Sequence, residues 1–389
     1  MIVCPDEGQE RDVAVGELRL EAGATLERPT LRAWMWSSRE DHEAFSAGRP
    51  LPPRPTALLL HGLTQGARAG GEGGFWAPLV GKGRPLRPWA MRLLSFNLLG
   101  SCRGSTGPAD PGFPTRDRDA LFPPPPSLVR GAPSRAEREL PATVTPRDQA
   151  AAIARALDAL GVATVDLVAG GSLGGMVATW LPALEKGRFA NVLAIATPLA
   201  SSAWMIGWNH VAREAILADP SYPEAHNGVA VARQVARLTY RSEVGLGELQ
   251  GRRTAGAFDE ERGARDEAWS PRGSYRVESY LRHAGRAFDF DARSYLALSW
   301  AMDHHDLARA PDFADPSARY LVVDIDSDRL VDAAAVDALA RALSAAGARV
   351  ERLTIRSTRG HDALFSEWGE LTRVFRVALS ASTPNPSEQ

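Results

Sequence analysis

Two cysteines in 389 residues, Cys4 and Cys102, are too few for a disulfide framework or for a metal site built on several thiolates. Lysine is as scarce, present only at Lys82 and Lys186, so the basic side chains are nearly all arginine. An excess of one charge sign is missing too: 45 Lys and Arg against 47 Asp and Glu leave a formal charge of -2, and no global field favours a nucleic acid or an anionic membrane. No apolar run is long enough to span a bilayer, and Met1 to Val13 carries acids and lacks a charged-then-apolar leader. These absences predict a soluble, cytoplasmic protein whose partners are small molecules, with no nucleic acid, no membrane, no metal and no bound cofactor.

Glycine, by contrast, is concentrated at one informative place. Gly170-Gly171-Ser172-Leu173-Gly174-Gly175 follows the strand-like run Val165 to Ala169 and opens a helix-like one, Met176 to Leu181. A serine on a sharp strand-to-helix turn has strained backbone angles, so small residues must sit two before and two after it, and Gly170 and Gly174 do. Such a turn lifts Ser172 clear of a sheet as a candidate nucleophile and aims the Leu173 amide at a developing oxyanion. The plainer reading is a glycine-rich turn carrying an ordinary serine.

The chain around this segment reads as α/β with a mostly parallel central sheet. Val13 to Leu20 and Leu31 to Trp36 alternate apolar and polar residues and predict two half-exposed antiparallel strands at a sheet edge. Thr56 to Leu60 and Met91 to Phe96 are continuous apolar runs of the kind buried on both faces, and Val192 to Ala196, Tyr320 to Ile325 and, last, Val350 to Ile355 read as further strands. Arg147 to Leu160 has helical spacing. From 198 to 311 the chain offers few strand-like runs and much helical periodicity, as in Val229 to Leu238. We therefore expect a catalytic core of residues 1–197 and 312–389 with an inserted helical lid, 198–311. Asp110 to Pro141, with its proline run 123–126, reads as an exposed loop, and the tail from Ser380 as frayed.

An activated serine needs a general base held by a carboxylate, and in a sheet of this kind these follow it in the order serine, acid, histidine. His361, in Gly360-His361-Asp362-Ala363, follows the last strand. Asp328 follows the preceding one, where Asp324, Asp326 and Asp332 compete for the same role. Both turns fall at the carboxyl ends of strands, where ligands bind in open α/β sheets. His61-Gly62-Leu63-Thr64, after the first buried strand, offers the Leu63 amide as a second oxyanion donor. The adjacent His304 and His305 point to different sides of a helix and do not suggest a metal.

These segments resemble the homoserine O-acetyltransferase family, of the α/β-hydrolase fold, over most of the chain. The likeness rests on the His61 to Thr64 loop, on Asn97 to Pro108 with its specific Gly104-Ser105-Thr106-Gly107-Pro108 block, and on the elbow from Gly170 to Met176. It continues through Ala232-Arg233 to Ser242, Val277 to Leu281, Phe290 to Leu296, Asp326 to Leu330 and Gly360 to Ala363. The resemblance implies that Ser172, Asp328 and His361 form the triad, with Leu63 and Leu173 as oxyanion donors. It also implies that Arg233 grips a substrate carboxylate, Asp362 its ammonium, and Tyr240 helps orient it. The activity so implied is acyl transfer from acyl-coenzyme A, acetyl-coenzyme A first, to the hydroxyl of homoserine in methionine synthesis, with a homodimer formed through the lid. Serine as acceptor and succinyl-coenzyme A as donor stay open, as does a carboxylesterase or thioesterase built on the same triad. An inactive binding protein is disfavoured by the complete set Ser172, Asp328 and His361.

Overall fold

The structure, a computed structural model, describes residues 7–117, 139–252 and 275–380. Cys4, the proline run 123–126, part of the predicted lid (253–274) and the tail beyond 380 lie outside the described residues. The main sheet has eight strands: β1 (Gln9–Ala14), β2 (Thr30–Trp36), β3 (Thr56–Leu60), β4 (Arg92–Phe96), β5 (Leu167–Gly171), β6 (Asn191–Ile195), β7 (Arg319–Ile325) and β8 (Arg349–Ile355). Their spatial order is β1-β2-β4-β3-β5-β6-β7-β8, with β1 antiparallel to β2, β2 antiparallel to β4, and every later pairing parallel.

Residues of β3, β4, β5 and β6 are all buried, as expected of parallel strands covered on both faces. The chain leaves β3 to one side to make β4 and then crosses to the other side to make β5. That reversal opens a crevice at the carboxyl ends of these strands. At the opposite end of the sheet, Arg92 is buried and sets Nη2 2.6 Å from Asp41 Oδ1, with Arg54 Nε 3.1 Å from the other oxygen of the same carboxylate.

The helices are α1 (Arg39–Ser46), α2 (Pro146–Ala159), α3 (Leu173–Leu184), α4 (Ala203–Leu217), α5 (His226–Tyr240), α6 (Glu243–Gln250), α7 (Arg276–Arg286), α8 (Ala292–Asp303), α9 (Ala333–Ala345) and α10 (Trp368–Ser380). α2 starts with a capping box between Thr145 and Asp148 and has proline in its first turn, where a missing N–H is harmless. α3 buries all of its first ten residues. Helices α4 to α8 lie between β6 and β7 in the chain.

Three expectations need correction. The predicted strand 13–20 breaks at Gly16, whose φ of +70° turns the chain away, so β1 begins earlier and Leu18–Arg19 pairs instead with Thr25–Leu26 in a separate ribbon. β2 is an interior strand flanked by β1 and β4, and Ala33, Trp34 and Met35 are fully buried rather than half-exposed. The ends of the predicted Asp110 to Pro141 loop are ordered: Thr115–Asp117 pairs antiparallel with Glu139–Pro141.

Candidate active site

Ser172 stands between the last residue of β5 and the first of α3, with φ 56° and ψ -126°. A non-glycine residue rarely holds positive φ, and the position persists only because its surroundings over-determine it. Its N–H donates to Ile195 O at 3.0 Å, and its own carbonyl accepts from the Met176 amide at 2.9 Å. The glycines are required by contact: a Cβ on Gly170 would come within 2.2 Å of Gly174 O, and one on Gly174 within 2.3 Å of Leu60 O. The start of α3 is therefore pressed against the end of β3, next to the His61 turn. Among the described residues, neither the Leu63 nor the Leu173 N–H has a hydrogen-bond acceptor. The Leu173 side chain is fully buried beneath the elbow and takes no part in the cavity wall, whereas Leu63 does.

His61 is not a titrating group in this turn. Its Nδ1 lies 2.7 Å from Gly62 O and its Nε2 accepts from the Leu98 amide at 3.0 Å, which requires a neutral ring protonated on Nδ1. Burial, only partly offset by the bond to Gly62, pulls its pKa down to about 4. The ring thus links the turn after β3 to the segment after β4.

The turns after β7 and β8 meet at Asp328 and His361. His361 Nδ1 lies 2.5 Å from Asp328 Oδ2, while Asp328 Oδ1 accepts from the amides of Leu330 at 2.8 Å and Val331 at 3.1 Å. The competing aspartates are engaged elsewhere. Asp324 pairs with Arg352 at 2.5 Å, Asp326 accepts from the Ser357 amide, and Asp332 caps α9. Burial opposes a charged imidazole at His361, but the Asp328 carboxylate and, less strongly, Asp362 outweigh it, so the pKa lies above the ordinary histidine value. The turn itself is anchored by Trp76, whose indole N–H donates to Leu364 O at 3.2 Å, and by the Ser327 hydroxyl, which accepts from the Gly360 amide at 3.0 Å.

Ser172 and His361 face one cavity of about 370 Å³, together with Leu63, Arg233, Tyr240 and Asp362. The Tyr240 ring centroid is 5.4 Å from that of His361. Arg233 packs over the Phe288 ring at 4.7 Å, and among the described residues no carboxylate pairs with it. Burial, with Arg237 adding like charge, lowers its pKa. Asp362, by contrast, is already paired: its Oδ2 lies 3.2 Å from Arg237 Nη1 and 2.7 Å from Arg241 Nε. Sequence reasoning gave no role to Arg237 and Arg241 and overlooked Gln65, which also lines the cavity. The arginines had a readable signal, since 233, 237 and 241 recur at the four-residue spacing that aligns side chains on one face of a helix. Gln65 had none.

The model of the alpha/beta hydrolase fold matches residues 55–367. A homoserine O-acetyltransferase from Zymomonas mobilis subsp. mobilis is 31% identical over 94% of this chain and 95% of its own length. Among solved structures, the homoserine O-acetyltransferase of Staphylococcus aureus superposes with a TM-score of 0.70 at 22% identity over 98% of both chains. Esterase E22 superposes as well, at 0.71 and 16% identity, covering 96% of this chain and 100% of the esterase, so the backbone alone is shared with hydrolases. With elbow, oxyanion turn, acid turn and histidine turn assembled at one sheet edge, and with sequence similarity running nearly end to end, the chain belongs to the homoserine O-acetyltransferase family of α/β-hydrolase-fold proteins.

Proposed function

We propose that this protein transfers an acyl group from an acyl-coenzyme A, acetyl-coenzyme A first, to the side-chain hydroxyl of L-homoserine, a step that feeds methionine synthesis. The observation that carries the reading is Arg233: a partly buried guanidinium without a carboxylate partner among the described residues, in the same cavity as Ser172 and His361. A simple esterase has no use for it. An amino acid supplies the missing carboxylate, which a guanidinium can bind through two parallel hydrogen bonds.

The chemistry follows from the geometry. Asp328 holds Nδ1 of His361, which leaves Nε2 to take the Ser172 proton as Oγ attacks the thioester carbonyl. The carbonyl oxygen, now negative, is received by the amides of Leu63 and Leu173, the two donors without other acceptors. Coenzyme A leaves as the thiol, taking the proton from His361, and an acyl-serine remains. The homoserine hydroxyl then enters, His361 removes its proton as the oxygen attacks the acyl carbonyl, and the acyl–Ser172 bond breaks with His361 returning the proton to Ser172 Oγ. Arg233 would hold the acceptor's carboxylate, Asp362 its ammonium through the carboxylate oxygen that the arginines leave open, and Tyr240 would pack alongside.

The helices of residues 198–311 act in this reading as a lid that limits water at the acyl-serine. Their exposed apolar residues, including Trp204, Val211, Val244 and Leu249, support a homodimer through the lid, which light scattering on the purified protein tests. A biosynthetic step of this kind belongs in the cytoplasm, and among the described residues no helix is long and apolar enough to cross a membrane. The deciding assay offers acetyl- or succinyl-coenzyme A with and without homoserine or serine and follows free thiol. Sustained release that requires homoserine supports the transferase, and equal release in its absence replaces it with a thioesterase.

A further inference from the structure

The turn that carries His361 is docked onto the C-terminal end of α5 more closely than its triad role requires. A Cβ on Gly360 would come within 2.6 Å of the Ser242 amide nitrogen and 2.8 Å of Tyr240 O, and one on Gly245 within 2.1 Å of Thr358 O. The Ser242 hydroxyl donates to Thr358 O, and the Thr358 hydroxyl to Glu248 Oε2 at 2.8 Å. Between these backbone contacts and the imidazole sit Arg237 and Arg241, both on Oδ2 of Asp362, the residue next to the base.

Asp362 alone would be a liability. A carboxylate beside His361 stabilises the imidazolium, and the triad already supplies one such charge in Asp328. A base held too strongly in its protonated form cannot take the Ser172 proton near neutral pH. The groups facing His361 are Asp328 from the turn after β7, Asp362 from its own turn, Tyr240 from α5 and Ser172 across the cavity, with Arg233, Arg237 and Arg241 behind. Of these cations, only Arg237 and Arg241 touch Asp362.

We propose that Arg237 and Arg241 are positioning residues: by clamping Asp362 they fasten the catalytic histidine turn to the helix above it and offset the second negative charge beside the imidazole. This rests on the reading of His361 as the base of Ser172, but not on the identity of the acyl donor or acceptor.

The test uses p-nitrophenyl acetate, which acylates an activated serine without coenzyme A or amino acid, and reads the nitrophenolate burst at its isosbestic wavelength across pH. Arg237→Gln should move the acidic limb of the burst rate to higher pH by about half a unit, roughly a threefold loss below the limb. Asp362→Asn should move it to lower pH. The double variant should follow Asp362→Asn, because the arginine then has nothing to offset, and Arg237→Lys should restore the limb. Thermal melts of each variant separate these shifts from unfolding. Should Arg237→Gln fail to fold, Arg241→Gln reads the same shift. Shifts of the same sign in Arg237→Gln and Asp362→Asn, or slower bursts with an unmoved limb, overturn the proposal. Absence of any burst in the unsubstituted protein would instead remove the serine-nucleophile reading on which it rests.

Discussion

Two histidines occupy equivalent addresses in this fold, and their surroundings shift their pKa values in opposite directions. His61 follows β3 and His361 follows β8; both are buried, and the turns that carry them line the cavity that holds Ser172. The difference lies in what each ring touches. His61 is wedged between a backbone carbonyl and a backbone amide, with no carboxylate to balance the cost of burying its charged form, and its pKa falls to about 4. His361 has a carboxylate at 2.5 Å, which keeps its charged form within reach and raises its pKa. In the proposed mechanism one histidine is a strut for a pair of oxyanion donors and the other carries the proton. Residue type and position in the chain do not separate the two roles; the hydrogen-bond partner does.

The comparison assumes that both turns serve Ser172, so its most severe test is there. Ser172→Ala should lower acyl transfer by about ten-thousandfold or more with an unchanged thermal melt, and retained turnover would detach both histidines from the chemistry. Asp328→Asn should cost about as much, because it leaves the His361 ring without the acceptor that fixes its tautomer; pre-steady-state thiol release measures this. His61→Ala should be milder, roughly a hundredfold in rate, since the oxyanion turn loses its brace rather than its amides. It should also destabilise the fold by about 1–3 kcal/mol in denaturant titration, because the Gly62 carbonyl and Leu98 amide are left unpaired. A His61 variant as slow as a His361 variant would abolish the distinction.

pH sharpens it further. The acidic limb of the rate should fall above the ordinary histidine value of 6.5, set by His361. Stability should fall with acid as well, in a lower window. In the unfolded chain His61 binds a proton below its ordinary value of 6.5, but in the fold only below about 4, so lowering the pH between these favours unfolding. Buried His305, also near 4, acts in the same window, and each contributes up to ~3 kcal/mol. Denaturant midpoints measured between pH 7 and 4 check this. The smallest effect belongs outside both turns: Arg233→Ala should raise the KM for the amino acid about tenfold while leaving acylation by acetyl-coenzyme A in place.

Much of this was readable before any coordinates. Apolar runs placed β3 to β7, because strands covered on both faces have no room for alternation, and the glycine spacing around Ser172 revealed the elbow because two backbone contacts forbid any side chain there. His361 was found by its place at a strand end, whereas spacing left four aspartates competing for its partner; the family resemblance pointed to Asp328, and the hydrogen bond joins the two. The edge of the sheet was misread because Leu31 to Trp36 was read as alternating, whereas β2 lies one strand in from the edge, paired with β1 and β4, with Ala33, Trp34 and Met35 buried. The pairing of Asp362 with Arg237 and Arg241 was hidden for a different reason. It joins residues more than a hundred positions apart, and nothing in either segment announces the other.

The close approach of Gly174 to Leu60 O constrains how such a protein can diversify. Backbone pressed on backbone leaves the bend around Ser172 no freedom to accept a new side chain, so a lineage carrying it can exchange acceptors, donors or pH range only by altering the surrounding walls. Novelty in this architecture is pushed outward, to helices that can drift, while the attacking oxygen stays where it was first placed.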